Sequence, residues 1–476
     1  MNIKKNHLFI LVLATLFVFY FHALNISGFF QDGYLYAALG KNFPWDSWLV
    51  PSQSLTEFRE FPHHPPLFFI LEGIFFKVVG SDFWQARLFG LLWVFSTICI
   101  LFHYIKSRFN LKLAYFSTLL LLIIPSLMKK SRFPNMDQAL LFSYTLTLFI
   151  YFEAWTKKSS KLWTLSGAAW GLTLLLKGVS GVLLLPLIFA HQIFEHRSLR
   201  FLLKKDIWLA FFTGCIVFSL WPGLLYLNGH IDVFKDYLEF QLFSTAIGGR
   251  GTVEVNYFLY FTHLLKQSPH LSLLFIWSLF LFKKGEVREY RKFYIFNLIC
   301  FVSYILPLSL MKFKFSHYLI PIYPSFAIIA AYPLMIKLKD KMDIFKKGHV
   351  LVLIIAFIPL YPLGVTNKVR RDKEIFEMTK EFKLLKSVPS EWLVVDESYS
   401  YWALSGLSSY VYSANPHRLP TKAAIEFIKK RSMDSLVFTR DIVKPELKLV
   451  LDQDFTLLKD VKNKYLKVWV NKELMK

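Results

Sequence analysis

The sequence predicts a mainly α-helical, polytopic membrane bundle followed by a small α/β domain, and three observations carry that prediction. Of 476 residues, 55% are hydrophobic and the mean hydropathy is +0.41, well above a soluble domain. The apolar residues fall in blocks about 17–22 long, the length that crosses a hydrocarbon core as a helix. Beyond about residue 366 the pattern changes to a charged one, with helical and strand-like stretches in alternation.

The length rule gives about 11–13 spans, with eleven segments starting near residues 7, 84, 111, 136, 162, 179, 206, 269, 292, 316 and 348. The segments near 111 and 162 are short enough to be tilted or re-entrant. Lys4 and Lys5 precede the apolar run from His7 to Leu24. No small-residue cleavage site follows, so a retained first helix is expected.

The formal charge of +23 comes from 56 basic and 33 acidic residues. The basic residues gather at the ends of apolar segments, where topology places them, which argues against nucleic acid as a partner. One set of short loops is dense in Lys and Arg: 106–112, 157–161, 197–205, 283–292 and 337–347. With these inside, the N-terminus lies in the cytoplasm. The long loops 25–83 and 228–268, and the chain after Gly364, then lie outside. The domain reading is a transmembrane unit over 1–365 and an extracytoplasmic α/β domain over 366–476, long enough to bury its own core.

Within the outer loops, 64–80 (HPPLFFILEGIFFKVVG) is apolar but short and includes Glu72 and Lys77. An interfacial or re-entrant helix fits it better than a span. In the tail, EIFEMTKEFKLLKSV and TKAAIEFIKK read as helices, and WLVVDES, SLVFTR and YLKVWV as strands. Cys99, Cys215 and Cys300 sit far apart in apolar segments, with no metal or disulfide spacing.

Chemistry concentrates near the outer face. Asp32 follows the first span, where a carboxylate can act as general base or hold a metal, and where it can equally cap the helix of YLYAALG. His63 and His64 precede Pro65 and Pro66; adjacent histidines seldom converge on one ion, and the prolines give a structural reason for the motif. Lys177 separates two apolar stretches beside Gly178, and charge at membrane depth is usually functional. Arg132 and Asp137 open a span, Arg250 stands in the loop IGGRG, and His317 and Tyr318 lie at another outer junction. Arg59, Lys77, Arg87, Lys129, Lys130, Lys312 and Lys314 complete the outer cations, any of which can snorkel at a helix end or meet a lipid phosphate.

The order of these elements resembles the polytopic glycosyltransferases that include protein O-mannosyltransferases and lipid A aminoarabinose transferases (glycosyltransferase family 39 type), over about residues 8–365. The matching residues are Gln31-Asp32-Gly33, the WDSWLVP segment, and His64-Pro65-Pro66-Leu67. Gly80 to Arg87, Arg132 to Asp137, Lys177-Gly178, the Arg250 loop and His317-Tyr318-Leu319 follow in order. The resemblance implies a polyprenyl-phosphate-linked sugar as donor, and a cell-envelope lipid, glycan or protein as acceptor. Membrane lipids are partners, and the site is a bacterial cytoplasmic membrane. It implies Asp32 as catalytic base; His64, Lys177, Arg250 and Arg132 at the donor phosphate; and Asp137, Arg59, His317 and Tyr318 at substrate. A divalent metal, on His63 and Asp32, is the one candidate cofactor. Two departures stand out. Asp32-Gly33 replaces the Asp-Glu of many relatives, and His63-His64 replaces the Glu-Lys typical of the aminoarabinose transferases, which argues against that sugar. A lipid-linked sugar transporter is the alternative, and predicts inverted repeats and several buried charges that the sequence does not display. A non-enzymatic membrane scaffold is a third reading, distinguished by catalytic silence.

Overall fold

The protein is described by a computed structural model over residues 16–22, 24–26, 28–29, 31–51, 61–243, 256–285, 287, 290–311, 314–337, 373–396, 401–440, 442–461 and 466–476. The chain runs through α1 (Gln31–Lys41), α2 (Leu67–Val79), α3 (Phe83–Arg108), α4 (Leu111–Leu122), α5 (Pro125–Lys130), α6 (Asp137–Lys157) and α7 (Ser160–Lys177). There follow α8 (Leu184–His196), α9 (Lys205–Leu227), α10 (Ile231–Leu238), α11 (Leu259–Gln267), α12 (Pro269–Lys283), α13 (Arg291–Leu310) and α14 (Tyr323–Lys337).

Among the described residues six apolar runs are long enough to cross a membrane: α3, α6, Ser160–His196, α9, α13 and Ser316–Lys337. The apolar helices α4 and α12, at 12 and 15 residues, are shorter. Most segment starts expected from the sequence fall within two residues of a helix start. The expected span near 348, the start of the one near 7, and the boundary at 365/366 lie outside the described residues.

The run 160–196 is a hairpin, not one long helix. As a straight helix it would place Gln192 about 43 Å from Trp163 at 1.5 Å per residue. Yet the two line one cavity, and Trp170 Nε1 donates to Gly181 O at 3.0 Å. The reversal is set at Gly178, whose φ of +58° and ψ of −131° only glycine adopts comfortably. A Cβ here would collide with Tyr237 Oη, which accepts from Val179 N at 2.9 Å. Gly178→Ala should therefore lower stability by roughly 1–3 kcal/mol for the backbone strain alone. An unchanged thermal midpoint in detergent would show that the turn does not depend on it.

The segment 64–80 forms α2, and its burial fits an interfacial helix: Phe68, Phe69, Glu72 and Phe76 face inward, while Lys77 stands over the Trp45 ring at 3.8 Å. Helix α1 packs across it, with Leu35, Leu39, Phe68 and Phe69 in one cluster.

The tail adds α15 (Lys373–Met378), α16 (Tyr401–Leu407), α17 (Thr421–Arg431) and α18 (Pro445–Asp454) around five strands: β1 (Glu391–Val395), β2 (Asn415–Leu419), β3 (Ser435–Arg440), β4 (Phe455–Val461) and β5 (Leu466–Asn471). The sheet order is β2-β1-β3-β5-β4, with β1 parallel to β2 and β3, and β5 antiparallel to β3 and β4. Strand β1 is apolar at Trp392, Leu393, Val394 and Val395 because both its faces are covered. Leu393 and Val437 pack with Ile428 and Leu447 of α17 and α18. Trp392, Val394 and Phe438 on the opposite face belong to a core that also takes in Phe29, Tyr34, Ala37, Ala38, Phe76 and Ala86. The domain is thus packed onto α1, and Gly406 of α16 lies so close that a Cβ would stand 2.5 Å from the Tyr34 carbonyl carbon. Asn42 Nδ2 donates to Ser409 O at 3.2 Å, and Tyr410 Oη donates to Ser81 O across the same junction.

Candidate active site

Two groups of polar residues flank one apolar core. Asp32 is the second residue of α1, inside its first turn with its side chain exposed, where a negative charge favours the helix N-terminus. Tyr36, one turn later on the same helix face, approaches His64: Tyr36 Oη lies 3.3 Å from His64 Nε2. Phe61 packs against both neighbouring imidazoles, and His63 lies against Phe240 with centroids 3.7 Å apart and the rings tilted by 42°. Among the described residues no three His, Cys, Asp or Glu side chains converge as a metal-ligand set.

The second group forms where antiparallel α6 and α7 meet. Asp137 begins α6 and Lys177 ends α7, so the two reach the same level and form an ion pair, both largely buried. Asn135 fixes the carboxylate from the other side: its Nδ2 donates to Asp137 Oδ2 at 3.0 Å and its Oδ1 accepts from Asp137 N at 2.9 Å. Lys130 and His317 also lie close enough to act on the Asp137 charge. His317 and Tyr318 meet edge to face at 4.7 Å, and Tyr304 Oη donates to Tyr318 O at 2.8 Å. The structure thus brings Asp137, Lys177, His317 and Tyr318 together, and Asp137 pairs with Lys177 instead of Arg132. Met136 and Leu176, beside the ion pair, share a core with Leu35 and Leu39 of α1, which joins the two groups.

Other sequence candidates take other places. Arg132 is buried, with Nη1 donating to His22 O at 3.1 Å and lying 2.7 Å from His22 Nδ1, so it ties the first helical segment to the α5–α6 turn. Arg87 is a strut: its guanidinium donates to Leu24 O at 2.8 Å, Ile26 O at 2.6 Å and Gly28 O, holding the strip that leads into α1. Arg59 and Arg250 lie outside the described residues.

Tyr36, Asn135 and Glu72 escaped the sequence reading of the site. Asn135 had a local signal, since an Asn two residues before an Asp at a helix start reads as an Asx turn. Glu72 stood out only as an acid in an apolar run. It is fully buried, neither carboxylate oxygen has a hydrogen-bond partner among the described residues, and burial pushes its pKa well above the usual carboxylate range. The native state keeps that proton, so this group's contribution is complete below the unfolded pKa and is lost as pH rises above it. Glu72→Gln should match the wild type near pH 4 and become the more stable chain toward pH 8. The gap should grow by up to about 1.4 kcal/mol per pH unit while the native acid remains protonated. Thermal melts across that range check it, and parallel curves would refute a protonated Glu72.

The fold and its charged face define a polytopic membrane protein with polar groups poised around one end of its helical bundle. Residues 63–221 match the family model of dolichyl-phosphate-mannose-protein mannosyltransferases. The fold is that of ArnT from Cupriavidus metallidurans bound to undecaprenyl phosphate, with a TM-score of 0.73, 14% identity and 98% of each chain covered. The apo form of the same protein gives 0.74 at 14% identity over 97% of each chain. An uncharacterized protein of Aquifex aeolicus is 26% identical over 328 residues, 68% of this chain. That match spans 63% of the relative's own length. The resemblance to the glycosyltransferase family 39 type, read from the order of motifs, is thereby supported by a family model and by the whole fold.

Proposed function

We propose that this protein is an integral-membrane glycosyltransferase. It moves a sugar from a polyprenyl-phosphate carrier to a cell-envelope acceptor, whether lipid A, another glycan or a protein, on the outer face of the cytoplasmic membrane. The observation that carries the reading is the coincidence of the matched family segment with the paired site. Residues 63–221 contain His63, His64, Arg132, Asp137 and Lys177, and the fold partner was solved with undecaprenyl phosphate.

In this reading the carrier enters laterally from the lipid, and its phosphate rests against Lys177, with His64, Arg132 and Arg250 as further candidates. Asp32 takes the proton of the acceptor hydroxyl as its oxygen bonds to the anomeric carbon and the bond from that carbon to phosphate breaks. The phosphate departs as an anion that nearby cations stabilise, so it needs no added proton. Asp137 orients Lys177, and Arg59, His317 and Tyr318 complete the substrate side. The N-terminus is cytoplasmic and the sheet domain extracytoplasmic, where it can shape the acceptor entrance.

Purified protein incubated with lipid extract carrying labelled polyprenyl-phosphate sugars tests the proposal. Release of unglycosylated carrier together with a labelled acceptor is expected. Labelled lipid crossing vesicle bilayers with no transfer would replace the enzyme with a transporter.

A further inference from the structure

At the end of the bundle away from Lys177, helices α7, α8 and α9 enclose a cavity of 380 Å³. Its walls include Trp163, Trp170, Ile188, Phe201, Leu202 and Trp208. The wall that α7 contributes runs from Trp163 to Trp170, about 21 to 10 Å of helix before Lys177, so this cavity is separate from the proposed donor site. At its floor Tyr151, His191 Nδ1 and Gln192 are engaged with one another, while His191 Nε2 has no hydrogen-bond partner among the described residues. Tyr151 Oη meets His191 Nδ1 at 2.7 Å and receives Gln192 Nε2 at 2.7 Å, leaving an apolar interior. Leu199, Leu203, Phe189 and Trp208 around it are exposed, as side chains facing lipid are.

The rim has the opposite character. The short helical turn Leu199–Leu203, capped by Ser198, carries Phe201 and Leu202 into the cavity and leaves Arg200 outside. Lys204 Nζ then converges on His196 Nε2 at 2.9 Å. Lys158, Lys161, Arg197, Arg200, Lys204 and Lys205 are exposed here, and none forms an ion pair among the described residues. The nearby Asp206 instead accepts a hydrogen bond from Ser160. Six cations here outnumber the two nearby carboxylates, Glu195 and Asp206, and a dry, chain-sized cavity beneath that excess is complementary to one chemistry, an apolar chain ending in an anionic head at headgroup depth.

We propose that this cavity holds an acyl chain of an anionic glycerophospholipid whose phosphate rests on Arg200 and Lys204, forming a lipid site separate from the donor site. The lipid would brace the α7–α8 hairpin from the side opposite its turn at Gly178. Because the cavity lies at the far end of α7, the site does not depend on the catalytic reading.

The test uses the full chain, delipidated in detergent and then supplied with phosphatidylglycerol or phosphatidylcholine of the same acyl chains. Retained lipid is counted by native mass spectrometry. Wild type should retain phosphatidylglycerol in preference. Arg200→Ala/Lys204→Ala alters only exposed side chains and should weaken that retention about 25-fold, at about fivefold per cation, without changing phosphatidylcholine. Ile188→Trp fills the cavity and should remove the retention of both lipids. Equal retention of the two lipids by wild type would overturn the proposal, as would retention that both variants leave intact. Displacement of phosphatidylglycerol by undecaprenyl phosphate at equal concentration would make this a carrier site and overturn it as well.

Discussion

Asp32→Asn should lower the rate of sugar transfer by roughly 10²–10⁴, the usual contribution of a positioned general base. The substitution keeps the size of the side chain and removes its ability to accept the acceptor's proton. Asp32 is exposed in the first turn of α1, so folding should be nearly untouched. The loss should appear in single-turnover transfer at saturating donor, with wild-type abundance and thermal midpoint. A variant that transfers at the wild-type rate would remove Asp32 from the mechanism while leaving the family likeness intact.

Lys177→Met is expected to have the second large effect, and on two quantities. Asp137 is buried and the Lys177 ammonium is its ion-pair partner, so removing that partner strands a carboxylate in a poorly hydrated place. Losses of about 3–5 kcal/mol are typical when one member of a buried pair is deleted. Adding Asp137→Asn removes the stranded charge and should restore most of the stability. Affinity for the polyprenyl-phosphate donor should stay weak in the double variant if Lys177 meets the phosphate as proposed, because that cation is still absent. Thermal melts and donor KM for the three chains separate these effects. A double variant no more stable than Lys177→Met alone would show that the pair is not what holds this corner together.

Much of the bundle was legible because a bilayer imposes a length on its helices. The apolar blocks near 111, 269 and 316 begin helices or helical runs at Leu111, Pro269 and Ser316. Even the hairpin 160–196 was visible as two segments, since Lys177-Gly178 interrupts the apolar run. In the tail the apolar strands β1, β3 and β5 stood out. Strand β2, NPHRL, did not, because it is polar and begins with Asn-Pro, and it is held by pairing to β1.

The site was legible only residue by residue. Asp137 and Lys177 were each suspected, but nothing local says that antiparallel α6 and α7 bring a helix start to a helix end. Arg87 and Arg132 looked like any outer cation. Their bonds go to backbone oxygens at Leu24, Ile26 and Gly28, and to His22, and a carbonyl leaves no trace in a sequence. Glu72 shows the reverse limit: its burial is created by α1, and the 67–79 segment alone reads as a helix that could turn that acid to water.

The shared core between α1 and the sheet domain also orders events during synthesis. Tyr34, beside Asp32, is buried against Gly406, and its helix lies near Ser409 and Tyr410, more than three hundred residues further along the chain. Until that stretch emerges, one face of the helix has no partner and the carboxylate no fixed bearing. The face of α1 that carries Tyr34 is therefore completed only once the stretch around Gly406, Ser409 and Tyr410 has been made and has docked on it.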